Sequence, residues 1–159
     1  MQSNSNPARR WLPALGLATV LTLLQAPAQA RLGSDAASIN DDNVQLKGQL
    51  VRTPMLQYDR HDITNGPDSV VHEYLSRSGK VFAVTWQGPL PPDFRQLFGD
   101  YFEPFRAAAA AQMRPGQHRQ ARFVQPDFVY EAAGRLRTFR GRAYVPSLVP
   151  AGVDVATLP

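Results

Sequence analysis

Six large apolar side chains, Phe94, Leu97, Phe98, Tyr101, Phe102 and Phe105, recur at spacings of 3, 1, 3, 1 and 3. That spacing places them along one face of a helix, and a helix carrying such a stripe has to bury it against another surface. Pro91-Pro92-Asp93 marks the helix start, and Arg95, Gln96, Asp100, Glu103 and Arg106 fall off the stripe onto a solvated face. Pro104 removes one backbone hydrogen bond, so the helix has either to kink there or to stop and restart with Pro104 in a first turn; the kink is the expectation. The stripe reads as core rather than as a ligand cage, because aromatic burial contributes so much to a small core.

The surface that receives it is a sheet. Residues 57–64, 69–76 and 80–87 alternate apolar and polar side chains and are rich in Val, Tyr, Phe, Thr and Trp, which predicts three strands. Asn65-Gly66-Pro67-Asp68 and Ser78-Gly79 supply the turns of an antiparallel meander. Pairing about Ser78-Gly79 sets Leu75 opposite Phe82, Glu73 opposite Val84 and Val71 opposite Trp86 on an apolar face. The other face carries His72, Tyr74 and Ser76 with Val81, Ala83 and Thr85, half exposed or covered by something polar. Two more strands, 128–132 and 136–145, are expected across a turn at Ala133-Gly134, with Gly141 as a bulge. Residues 34–48 form a short helix or none, 113–122 a solvated linker, and 146–159 an extended tail. The expected architecture is a single α+β domain over residues 31–159, an antiparallel sheet of about five strands packed against one main amphipathic helix.

Ahead of that domain, Arg9-Arg10, an apolar run from Trp11 to Leu24 and Ala28-Gln29-Ala30 have the form of a cleavable secretory signal, with cleavage after Ala30. The run contains Pro13 and falls short of the roughly 20 apolar residues that span a bilayer. The processed protein is therefore expected to be periplasmic or secreted, with no stable membrane anchor. The chain has no cysteine, so its fold rests on an apolar core, and thiol chemistry is excluded.

Charge is unevenly distributed. Residues 31–105 carry 7 basic and 10 acidic side chains, whereas 106–145 carry 8 arginines against Asp127 and Glu131. Arg106, Arg114, Arg119, Arg122, Arg135, Arg137, Arg140 and Arg142 could all face an anionic partner, an envelope protein or another anionic envelope component, with Arg135, Arg137, Arg140 and Arg142 as the candidate binding face; the ordinary alternative is a solvated face. Without Arg9 and Arg10 the net charge falls to +2, too small for a nucleic-acid-binding protein.

Motifs for catalysis are few. His72-Glu73 starts like a zinc-protease helix, but Ser76 stands where the second histidine belongs and the segment has strand periodicity. If the first hairpin folds about Gly66-Pro67, His61 sits opposite His72 with Asp59 on the same face, a set that could hold zinc or copper; a one-residue slip in register separates it. The bland reading is two half-exposed strand histidines. No serine occupies a G-x-S-x-G elbow, no phosphate-cradling glycine loop occurs, and no carboxylate pair stands out. No cofactor is implied, and the motifs leave the question of an enzyme open, leaning against one.

The segments Glu73–Pro89 and Gly141–Val153, together with Asp93-Phe94-Arg95-Gln96-Leu97-Phe98-Gly99 and Tyr101-Phe102, resemble a family of small exported proteobacterial proteins, domain of unknown function 2844. The resemblance covers nearly all of residues 31–159 and implies a periplasmic or secreted location. It brings no activity, cofactor or catalytic residue. The leading functional expectation is a non-enzymatic binding or envelope-associated module. Its rivals are a small metal-dependent hydrolase using the histidine cluster, and a structural subunit assembling through a sheet edge.

Overall fold

Asp35 accepts a hydrogen bond from the N–H of Ala37 and starts the first helix, α1 (Ala36–Leu46), which ends where Lys47 turns to φ +51. Strands β1 (Gln49–Pro54), β2 (Tyr58–Thr64), β3 (Val70–Ser76) and β4 (Val81–Gly88) follow as a meander. The chain then forms α2 (Phe94–Phe98), a 3-10 turn, α3 (Phe102–Gln112), and strands β5 (Gln120–Gln125), β6 (Phe128–Arg135) and β7 (Thr138–Tyr144). The computed structural model describes residues 31–112, 120–135 and 137–159; the expected signal segment, residues 1–30, and most of the expected linker lie outside them. Among the described residues, no helix is long and apolar enough to cross a membrane.

The strands make one antiparallel seven-stranded sheet in the order β1-β2-β3-β4-β7-β6-β5. The class is α+β, with seven strands where about five were expected. The two that escaped prediction, β1 and β5, are its edges. An edge strand buries little, so neither displays a run of alternating apolar side chains, and β5 begins inside what reads as linker.

The helices cover one face. Ile39, Leu97, Phe98 and Phe105 pack there on Val84, Trp86, Phe123, Tyr130 and Ala143. All six stripe residues join this layer, but the helix does not kink at Pro104. It breaks earlier, at Gly99, whose φ of +51 leaves the helical region and whose missing side chain gives room to Arg31. Pro104 then sits in the first turn of α3, where no intrahelical bond is lost. Phe94 and Phe98 stack 5.0 Å apart, and Phe98 meets Phe105 edge-on at 5.2 Å, so the stripe stays continuous across the break.

Three other expectations are corrected. Register shifts between Tyr74 and Leu75, so Leu75 faces Val81, not Phe82. The bulge lets Phe82 and Ala83 both point to the second face, where Phe82 meets the rings of Tyr58 and Tyr74. Gly141 is no bulge: it pairs in register with Trp86 and Ala132, and a Cβ there would lie 2.4 Å from the indole and 2.6 Å from the Glu131 carbonyl oxygen. The β6–β7 turn comes later than Ala133-Gly134, since Arg135 still pairs with Thr138 and Arg137 takes φ +64.

The second face is half covered by the tail, which is less extended than expected. It makes 3-10 turns at Pro146–Leu148 and Val155–Thr157. Leu148, Val149, Val153, Val155 and Leu158 cap the buried Tyr74, Phe82 and Ala83.

Candidate functional site

Where the tail stops covering the second face, the sheet is left open as a groove of about 780 Å³. Its floor is built by strand alternation: His72, Thr85, Arg142, Glu131 and Arg122 form one cross-strand row over β3, β4, β7, β6 and β5. The adjacent row is Gln87, Arg140, Ala133 and Gln120. Ala156, Leu158 and Pro159 of the tail line the same groove.

The first row is internally satisfied. Glu131 accepts from Arg122 Nε at 2.8 Å and from Arg142 Nε at 2.7 Å. These guanidinium groups, Arg122's hydrogen bond foremost, hold the Glu131 carboxyl below the usual range. Arg142 also donates to the carbonyl of Val155 at 3.1 Å. The Thr85 hydroxyl donates to the carbonyl of Pro159 at 2.5 Å, and Tyr74 donates to the same oxygen at 3.0 Å. Burial pushes the Tyr74 phenol up to about 12, so it stays a donor. The second row contrasts with this. Arg140 is exposed, and among the described residues neither its guanidinium nor the amides of Gln87 and Gln120 find a side-chain or backbone partner.

Of the four predicted arginines, alternation sets Arg135, Arg140 and Arg142 on this face, while Arg137 stands in the exposed hairpin turn. Sequence reasoning places Arg122 among the arginines that could face an anion and Arg140 on the candidate face, but it does not single out Glu131, Gln87 or Gln120. Arg122 lies at the end of the expected linker rather than on a strand, and Glu131 shows itself as the partner of two arginines only once β5, β6 and β7 are in register.

The histidine set is not assembled. β2 and β3 pair His61 with Glu73 and His72 with Asp62. The loop runs over residues 65–69, closed by Asn65 N–H to the Ser69 carbonyl at 3.0 Å, one residue longer than a four-residue turn. That slip puts His61 and Asp59 on the helix side and His72 on the groove side. Asp59 instead holds Arg52 at 2.7 Å and Arg77 at 3.1 Å, and Arg52 above all keeps its carboxyl low. Burial lowers the His61 imidazole, favouring its neutral form. His72 Nδ1 lies 2.6 Å from Asp62 Oδ1. Asp62, His72 and Thr85 follow one another across the strands in the order acid, base, hydroxyl, yet the Thr85 hydroxyl is turned to Pro159. Among the described residues, no group of three or more His, Asp and Glu side chains is arranged to hold a metal ion.

A second polar cluster lies under α1. Asp42 and Glu73 are 0% and 1% exposed and interact with each other, Gln96 Nε2 donates to Asp42 Oδ1 at 2.5 Å, and among the described residues Asp42 Oδ2 and Glu73 Oε2 have no donor. Burial raises both carboxyls, Asp42 to about 6 and Glu73 well above its ordinary value. Two adjacent buried carboxyls can bond only by sharing a proton, and burial of both favours the protonated form at this α1 docking point.

No curated protein and no solved structure matches this chain. The α+β sheet with its groove therefore takes its affiliation from one comparison: residues 28–158 match the model of the family described as protein of unknown function (DUF2844), and the chain belongs to that family.

Proposed function

We propose that this chain is an exported protein of the cell envelope, periplasmic or secreted after cleavage following Ala30, and that its open sheet face binds an anionic envelope component or partner protein. Arg140 carries the reading. It stands exposed on the groove floor without a counter-ion among the described residues, beside an Arg122–Glu131–Arg142 network that itself has one more positive charge than negative. A cation left unpaired in a concave site is where an incoming carboxylate or phosphate gains most, since little of the protein's own pairing has to be undone. Export is supported by the Arg9-Arg10, apolar and Ala28-Gln29-Ala30 pattern.

The test uses the full chain expressed in a Gram-negative host. Fractionation and denatured mass report export and the cleavage position. The recovered protein is titrated with polyglutamate, polygalacturonate and anionic vesicles at rising salt. Binding of at least one probe, weakened about tenfold or more by Arg140→Glu and by raising salt through the range where the Debye length falls below about 10 Å, is the expected result. Equal binding by wild type and Arg140→Glu would remove the groove from consideration.

A further inference from the structure

We infer that the groove receives an extended acidic polypeptide segment laid alongside the protein's own tail; this rests on the anion-binding reading above and names the partner class. The tail shows how the face handles a polypeptide. Main-chain oxygens of Val155 and Pro159 are taken by Arg142 and Thr85, which are direct cross-strand partners on β7 and β4. One step along the same two strands the pairing repeats as Arg140 and Gln87. This second donor pair has the same spacing and faces the same side, and among the described residues nothing accepts from it.

A segment crossing there would run over β4, β7, β6 and β5. Adjacent strands lie about 4.8 Å apart and an extended chain advances about 3.3 Å per residue, so about five residues suffice. Gln87 and Gln120 at the two ends offer amides to main-chain carbonyls. Arg140 presents the fork that pairs a carboxylate in two bonds, and Ala133 between them leaves room for the chain to approach. Among the described residues that line the groove, a sugar polymer would find no free Phe, Tyr or Trp ring to stack on. Trp86, the aromatic residue bordering the groove, has its indole engaged on the helix side with Phe94 at 5.0 Å and Tyr130 at 5.6 Å.

The experiment measures anisotropy of a labelled eight-residue peptide alternating Glu and Val against the full chain, its Gln-for-Glu counterpart, and polygalacturonate as competitor. Variants are Arg140→Glu, Arg140→Lys and Gln87→Ala, all at exposed positions. Expected are saturable binding of the acidic peptide, at least tenfold weaker binding of the neutral one, a tenfold or greater loss with Arg140→Glu, partial recovery with Arg140→Lys, and a severalfold loss with Gln87→Ala. Arg140-dependent binding of polygalacturonate without binding of the peptide would overturn this inference and leave the anion-binding reading standing. Failure of every anionic probe to bind would overturn both.

Discussion

Replacing Asp42 by Asn isolates the buried acid pair. Asn keeps an oxygen for Gln96 Nε2 and gains an N–H for Glu73, so packing and hydrogen bonding survive while one titration disappears. In the native protein burial moves the Asp42 carboxyl from its ordinary 3.8 to about 6. A folded value above the unfolded one means the group's contribution is whole below pH 3.8 and is lost as pH rises through about 6. At about 1.4 kcal/mol for each factor of ten in acidity, the loss is about 3 kcal/mol. Urea unfolding of wild type and Asp42→Asn at intervals from pH 4 to 7.5 reads it directly. The informative quantity is variant stability minus wild-type stability at each pH, because contributions of opposite sign from Asp59 and Glu131 cancel in it. That difference is expected to rise by about 2.5 kcal/mol across the range, the remainder of the loss falling below pH 4. A difference flat to within about 0.5 kcal/mol would show that burial does not raise the Asp42 carboxyl, and the reasoning from its burial under α1 to its titration would fall.

Two further outcomes follow from packing. Phe98→Ala removes a ring with 0% exposure that touches Phe94, Phe105 and Phe128; a loss of about 3–5 kcal/mol in urea-unfolding stability is expected. Gly141→Ala forces a methyl group against the Trp86 indole and the Glu131 carbonyl oxygen, which costs about 1–3 kcal/mol and shifts Trp emission to the red as the indole is pushed from its place.

What could be seen in advance depended on how local the signal was. The aromatic stripe and the strands β2 to β4 were legible to within a residue, because each is marked by its own periodicity and bounded by Gly, Pro or Asn. The register of β2 on β3 was not: one extra loop residue, Ser69, reverses which side chains meet, and nothing in the composition of Asn65–Ser69 distinguishes a four-residue from a five-residue connection. The same applies to Phe82, whose change of face comes from a bulge stabilised by the tail and by Tyr58, far away in sequence. For the groove, alternation alone suffices to align Arg140 with Arg142, whereas the pairing of Arg122 and Arg142 on Glu131 required two strand alignments that residue patterns do not encode.

The amino-acid sequence by itself determined that an antiparallel sheet would be covered by an aromatic helix layer without disulfides, since helical and strand periodicities are written within a few consecutive residues. Only the tertiary structure decided which polar side chains share a face, that Asp42 meets Glu73, and that the tail satisfies one donor row while leaving the next one open. Those outcomes depend on register and on contacts between residues distant in the chain, where a displacement of one residue reverses the face on which a side chain is presented.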